Sequence, residues 1–259
     1  MNDFIKLKET EGIVTVTLNR PKAFNAFSLD MIKCMSEQLM ELAMDEYANG
    51  IIITGEGKAF CAGADLKWAS NFGKSYSEAF HILAASYHQA ILEIHRMPKP
   101  VVAAINGIAA GGGFSIALAC DFRIIEKSAV LRQAYTSNGL SVDGGGTFNL
   151  PRLVGPARAM EIIAFDRPIS AEQALSWGLV SEVVEDGQSV TKAIELAREI
   201  RSIPLSSFAA CKKLVADSFD TPFEAQLEKE RQALSLCAGH PNGREGIGAF
   251  LEKRKPVYR

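Results

Sequence analysis

Cysteine is too sparse and too scattered here for a disulfide framework or a zinc site. Cys34, Cys61, Cys120, Cys211 and Cys237 are odd in number and widely spaced, and no CxxC pair occurs. They are expected to be reduced thiols of a cytoplasmic protein. Basic runs are missing too: no Lys/Arg block is longer than the one in the terminal EKRK, and the formal charge is -2. A nucleic-acid partner would need a basic face that this pattern does not supply. The opening MNDFIKLKETEG is charged and has no apolar centre, so no secretory signal is expected. The longest apolar run, VVAAINGIAAGGGFSIALAC at 101–120, has the length of a membrane span. Five of its residues are Gly or Asn, and it reads as strand, turn and helix instead. Neither GxGxxG nor GxxxxGK[ST] occurs, so no dinucleotide or P-loop fingerprint is present. His81, His88 and His95 recur every seven residues, but without the i, i+4 pairing of helical zinc sites; no metal is expected.

What is present is an ordinary globular composition, 47% apolar and 22% charged over 259 residues. That length suits one large core, or a core with a small second domain. IVTVTLN at 13–19 alternates and is β-branched, the pattern of a strand. Ser28 caps a helix expected to run to about Met44. GIIITG at 50–55 and PVVAAIN at 100–106 read as buried strands, and DFRIIEK at 121–127 as a further one. A helix is expected over about 78–96, and another where GGGFSIALAC, 111–120, turns apolar. The 67–80 stretch is polar and reads as loop. Strand–helix–strand alternation points to an α/β fold. After Gly155 helices dominate, and LVSEVV at 179–184 is the one strand expected. The division that follows is an α/β core at 1–190 and a C-terminal helical region at 191–259, whose apolar stripes must cover the core or another subunit.

Two loops of small residues each precede a helix, AGADL at 62–66 and AAGGGF at 109–114. Small side chains let a ligand approach the backbone, and the first turn of a helix offers free N–H groups. Facing one another, the loops would put two donors on one oxygen and stabilise an enolate; alternatively the glycines only allow close packing. Asp143, in SNGLSVDGGGT, is equally two-sided. Asp beside Gly is a common turn signal, yet a carboxylate there could also serve as a base.

The chain resembles the crotonase superfamily of enoyl-CoA hydratases and isomerases. The resemblance rests on NRPKAFNAF at 19–27, GKAFCAGADL at 57–66, KPVVAAINGIAAGGGF at 99–114, CDFRI at 120–124 and GLSVDGGGTFNLPRLVG at 139–155. ISAEQALSWGLVSEVV at 169–184 and GREGIGAFLEKRKP at 243–256 extend it along the whole chain in order. It implies a spiral core of ββα repeats with a C-terminal helical trimerisation region. It also implies that the N–H groups of Ala64 and Gly112 polarise an acyl-CoA thioester carbonyl. Ser115 and Tyr135 occupy the positions of the two hydratase glutamates, and a hydroxyl is a poor general base near neutral pH.

Asp143 stands where several branches place a catalytic aspartate, and the pattern is nearest to the phenylacetate-pathway enoyl-CoA isomerases. The implied reaction shifts a double bond, from a 3-enoyl-CoA to a 2-enoyl-CoA or within a ring-derived acyl-CoA. Asp143 would carry the proton, its pKa raised by an apolar pocket. Enoyl-CoA hydration is the alternative. An aryl-CoA hydrolytic dehalogenase, in which His88 would match a histidine base, and a non-catalytic RNA-binding homologue are more distant readings. Lys22, Ala62 and Asp65 are implied in CoA binding, with Phe250 and Lys253 reaching the CoA of a neighbouring subunit. The implied assembly is a homo-trimer or hexamer, with no cofactor beyond the CoA of the substrate and no nucleic-acid or membrane partner. Cys61, beside the first loop, reads as a packing residue and not a nucleophile.

Overall fold

Strands enter two sheets in alternation in the computed structural model, which describes residues 4–73 and 75–258. Expectations for residues 1–3, 74 and 259, including Lys74 in the 67–80 stretch, lie outside them. β1 (Ile5–Thr10) pairs antiparallel with β2 (Ile13–Leu18), and α1 (Leu29–Met44) follows, capped by Ser28. A repeat then begins. β3 (Gly50–Gly55) joins the large sheet, β4 (Ala59–Cys61) joins the small one, and α2 (Leu66–Ser70) and α3 (Tyr76–Arg96) return the chain. β5 (Val101–Ile105), β6 (Ile108–Ala110) and α4 (Gly112–Ala119) make the second turn. β7 (Phe122–Glu126), β8 (Val130–Arg132) and α5 (Gly146–Phe165) make the third. β9 (Ile169–Ser170), α6 (Ala171–Ser176), β10 (Glu182–Val184) and α7 (Ser189–Arg201) close the core. The large sheet runs β1-β2-β3-β5-β7-β10 and the small one β4-β6-β8-β9. Pairing is parallel except for β1 with β2 and β8 with β9.

Parallel strands need cover on both faces, and β3 and β5 are buried along their whole length. One face receives α1 and α3 through Met35, Leu39, Leu83 and Ile94. The other receives α7, whose Ala193 and Ala197 pack with Ile13, Ile52, Val102, Ala104 and Ile124. Small alanines let α7 lie close on the sheet.

Four differences from the expected elements have local causes. β1 was not expected, since four of its six residues are exposed and charged or mixed along an edge. A second strand, β9, follows Gly155, but it is two residues long. α5 starts at Gly146, ahead of Gly155, and is broken there by an extended left-handed-side backbone (φ 77°, ψ 160°) before Pro156 restarts it. Ser75 and Glu78 form a reciprocal capping box that begins α3 at Tyr76, two residues before the expected start.

Beyond the core come α8 (Leu205–Asp217), α9 (Phe223–Gly239) and α10 (Pro241–Leu251). Neither α8 nor α9 buries a single residue, and α10 buries only Asn242 and Ala249. Lys212 ties α8 to the core: its ammonium donates to Asp121 at 2.8 Å and to the Ile94 carbonyl at 2.8 Å. Among the described residues no helix is long and apolar enough to cross a membrane.

Candidate active site

The two small-residue loops meet. Gly63 has φ +90°, and a Cβ built on it would lie 3.2 Å from the Gly112 nitrogen. Gly113 needs to be glycine for the same closeness, since a Cβ there would fall 2.0 Å from the Cys61 carbonyl oxygen. Gly111, at φ 52° and ψ -122°, turns the strand into α4 through a conformation that side-chain-bearing residues avoid. Ala64 is held by a parallel bridge to Phe27: the Phe27 N–H donates to Gly63 O at 2.7 Å, and Asp65 N–H donates to Phe27 O at 2.9 Å. That pattern leaves the Ala64 N–H out of the bridge. The Gly112 N–H opens a helix, where no intrahelical acceptor exists. Ala64 and Gly112 line one cavity of about 260 Å³.

Asp143 lines the same cavity. Gly144 (φ +63°) and Gly145 (φ +74°) carry the chain from it into α5, so the DGGG run is a turn as well as a presentation of the carboxylate. The Asp143 carbonyl accepts from the Ser115 hydroxyl at 2.7 Å and from Gly146 N–H at 3.2 Å. Ser115, at a hydratase glutamate position, is thus fully buried and holds the aspartate's backbone in place. The carboxylate is not alone in an apolar pocket, as the sequence reading expected. Its Oδ1 lies 2.6 Å from His88 Nε2, with Asp143 35% and His88 50% exposed. A turn at the pocket mouth and a half-exposed helix face bring the pair together. Tyr135 lines the cavity too. Burial pushes its phenol well up, the Ser115 hydroxyl beside it acts the other way, and the nearby Asp143 charge raises it further, so it stays neutral.

The remaining walls are apolar, from Phe27, Phe80, Leu83, Leu140 and Val142. The residues implied in CoA binding lie outside this inner cavity. Lys22 is exposed on a single 3-10 turn, Pro21–Ala23. Ala62 donates its N–H to Phe24 O. Asp65 caps α2 by accepting from Trp68 N–H at 3.0 Å, and it pairs with Arg20 at 2.8 Å. Burial works against its charge, but the Trp68 amide and Arg20 hold the carboxyl below its ordinary value. Phe250, 83% exposed, and Lys253 stand at the end of α10.

Cys61 is fully buried, and burial pushes its thiol up to about 12, which leaves no thiolate near neutral pH. His81 is exposed, whereas His95 packs edge-on against Phe148 at 6.3 Å. Among the described residues no three His, Cys, Asp or Glu side chains converge as a metal site. Sequence reasoning missed Arg20 and Tyr87. Arg20 joins the NRP loop to the AGADL loop through Asp65, and it braces its own loop by donating to the Ala26 carbonyl. Tyr87 sits in the apolar stripe of α3, where a tyrosine reads as core, and its hydroxyl donates to Gly112 O at 2.5 Å.

Comparison with known proteins gives one family. A family model described as enoyl-CoA hydratase/isomerase matches residues 8–259. The 1,2-epoxyphenylacetyl-CoA isomerase of Escherichia coli (strain K12) is 35% identical, over 100% of this chain and 99% of its own. The 4-chlorobenzoyl coenzyme A dehalogenase-2 of an Arthrobacter species is 33% identical, over 96% of this chain and 91% of its own. The crystal structure of an enoyl-CoA hydratase from Bacillus anthracis superposes with a TM-score of 0.92 at 36% identity, covering 99% of each chain.

Proposed function

Because the chain belongs to the enoyl-CoA hydratase/isomerase family and is an enzyme with the crotonase fold, we propose that it isomerises an unsaturated acyl-CoA, with Asp143 as the single acid and base. The observation that carries this is the inventory of the cavity: Asp143 lines it together with Ala64 and Gly112, and both hydratase glutamate positions hold hydroxyls. The thioester oxygen of a 3-enoyl-CoA would accept from the Ala64 and Gly112 N–H groups. Asp143 would take a proton from C2, and the electron pair would spread over a dienolate whose oxygen those two donors stabilise. The protonated Asp143 would then return the proton to C4, leaving the double bond conjugated with the thioester. His88, donating from Nε2 to Oδ1, would leave Oδ2 free for the transfer. A ring-derived acyl-CoA would follow the same course.

Hydration is the second reading, supported by the hydratase described for a close structural relative. Adding water needs a group to hold it and a group to deprotonate it. Ser115 is already committed to the Asp143 carbonyl and Tyr135 is a neutral phenol, so the His88–Asp143 pair would have to perform both tasks. The CoA roles of Lys22, Ala62, Asp65, Phe250 and Lys253, a homo-trimer or hexamer, and a cytoplasmic location belong to the same proposal. The exposed apolar residues of the C-terminal helices support the assembly, and the odd number and wide spacing of the five cysteines support the location.

The test is a side-by-side assay in deuterated water of a 3-enoyl-CoA and crotonyl-CoA. Isomerisation predicts conversion of the first to the 2-enoyl-CoA, with no comparable gain of water by the second. Brisk hydration of crotonyl-CoA without isomerisation would overturn it.

A further inference from the structure

Resting on that reading of the oxyanion site and base, we propose that Tyr87 is a positioning residue that sets the separation between the Gly112 N–H and the Asp143 carboxylate. Tyr87 is 3% exposed and lies in α3, between the two halves of the machinery. On one side its hydroxyl donates to Gly112 O at 2.5 Å. On the other its ring fills the space against the aspartate's turn, where a Cβ on Gly144 would come 2.3 Å from Tyr87 Cε1 and 3.0 Å from Cζ. The ring also lies 5.3 Å from that of Phe27, the residue bridged to Ala64. The next residue along the helix is His88, which grips the Asp143 carboxylate. Both donors and the base are therefore referenced to two consecutive residues of one helix.

The tie matters because α4 begins without a side-chain cap. Its N-cap is Gly111, which offers no side-chain cap, and its donor peptide is flanked by glycines. Packing encloses the first turn of α4, and the bond to the Gly112 carbonyl fixes its orientation within that packing; without it the N–H would settle off the line of a developing oxyanion. Misplacement by about 1 Å can cost on the order of 100-fold in rate. Burial raises the Tyr87 hydroxyl well above its ordinary value, so it remains a donor.

Tyr87→Phe removes the hydroxyl and keeps the ring. The readout independent of turnover is the infrared carbonyl band of bound butyryl-CoA, labelled with carbon-13 at the thioester. Butyryl-CoA has no double bond to shift or hydrate, so the band reports the oxyanion donors alone. Wild type should lower the band frequency on binding, and Y87F should lose a large part of that lowering. Isomerase kcat should fall about 10- to 100-fold while KM moves by less than about threefold, as expected for a donor misaimed in the transition state. A variant with a lower melting temperature but an unchanged band and kcat would reduce Tyr87 to a packing residue and overturn the inference. If the band responds to Y87F while the wild type hydrates instead of isomerising, the positioning role stands and the isomerase reading falls. An unshifted band in the wild type would overturn both.

Discussion

α4 and α9 are both helices of an α/β enzyme, yet they meet their surroundings in opposite ways. All eight residues of α4 are buried, and its glycines touch neighbouring backbone. None of the seventeen residues of α9 is buried, and Leu234 and Leu236 are largely exposed although α9 packs against α8 and α10. Phe219, Phe223, Phe250 and Leu251 extend the same apolar exposure along the tail. A core helix like α4 is specified by what it must not contain, because a single added carbon collides. A tail helix like α9 is specified by a face that this chain alone does not cover. Large apolar side chains left exposed along a helical tail are the kind of surface another subunit covers, which supports the proposed trimer or hexamer.

That contrast sets an order of expected effects. Gly113→Ala should be the most damaging change, since the new Cβ would lie 2.0 Å from the Cys61 carbonyl. It is expected to abolish activity or soluble expression, measured by turnover and circular dichroism. Normal activity would show that the two loops are looser than described.

Lys212→Met tests the anchor between core and tail. Asp121 is mostly covered, its side chain 16% exposed, and burial pushes its carboxyl up, with Lys212 opposing that. Removing one partner of a nearly buried pair should cost about 3–5 kcal/mol in denaturant unfolding. A cost below about 1 kcal/mol would mean that the pair behaves as a surface contact.

Asp166 tests a finer joint. It is buried and accepts from Ala134 N–H, Ser137 N–H and the Ser137 hydroxyl, so it fastens the loop that carries Tyr135. Burial alone would raise its carboxyl, but the Ser137 hydroxyl and the two amides hold it below the ordinary value. Its stabilising contribution is therefore complete above the unfolded pKa of about 3.9 and is lost as pH falls through the lower folded value. The stability gap between wild type and Asp166→Asn should be widest near pH 6 and close in acid. A gap that widens in acid would reverse the sign.

Leu234→Lys with Leu236→Lys should do least to the isolated fold, within about 0.5 kcal/mol for exposed positions. Sedimentation should nevertheless show a smaller assembly. A monomeric wild type with full activity would remove the proposed interface.

The two kinds of region were also unequally legible in the sequence. β2, α1 and α3 announced themselves by their period, and β3 by an apolar run bounded by glycines. The small sheet did not, because β4, β6 and β8 are three residues each, too short to show alternation. No internal repeat is visible in the sequence either, although the chain winds through three ββα turns; the repetition lies in geometry, not in residue identity. At the site, Ala64, Gly112 and Asp143 were marked by their small-residue surroundings and by resemblance. The contact between His88 and Asp143 spans 55 positions, and no local pattern encodes it. Tyr87 was hidden because its ring obeys the helix's apolar period while its hydroxyl reaches across to α4.

The central claim is that Asp143 moves the proton, and Asp143→Asn tests it most directly, by following conversion of a 3-enoyl-CoA to its conjugated isomer. The amide keeps the turn and the size of the side chain and removes the base. A general base contributes about 100- to 10,000-fold, so the variant should fold, bind acyl-CoA and lose that factor in kcat, whereas Ser115→Ala should lose far less. Isomerisation by Asp143→Asn at nearly the wild-type rate would leave Asp143 as a turn residue and contradict the mechanism.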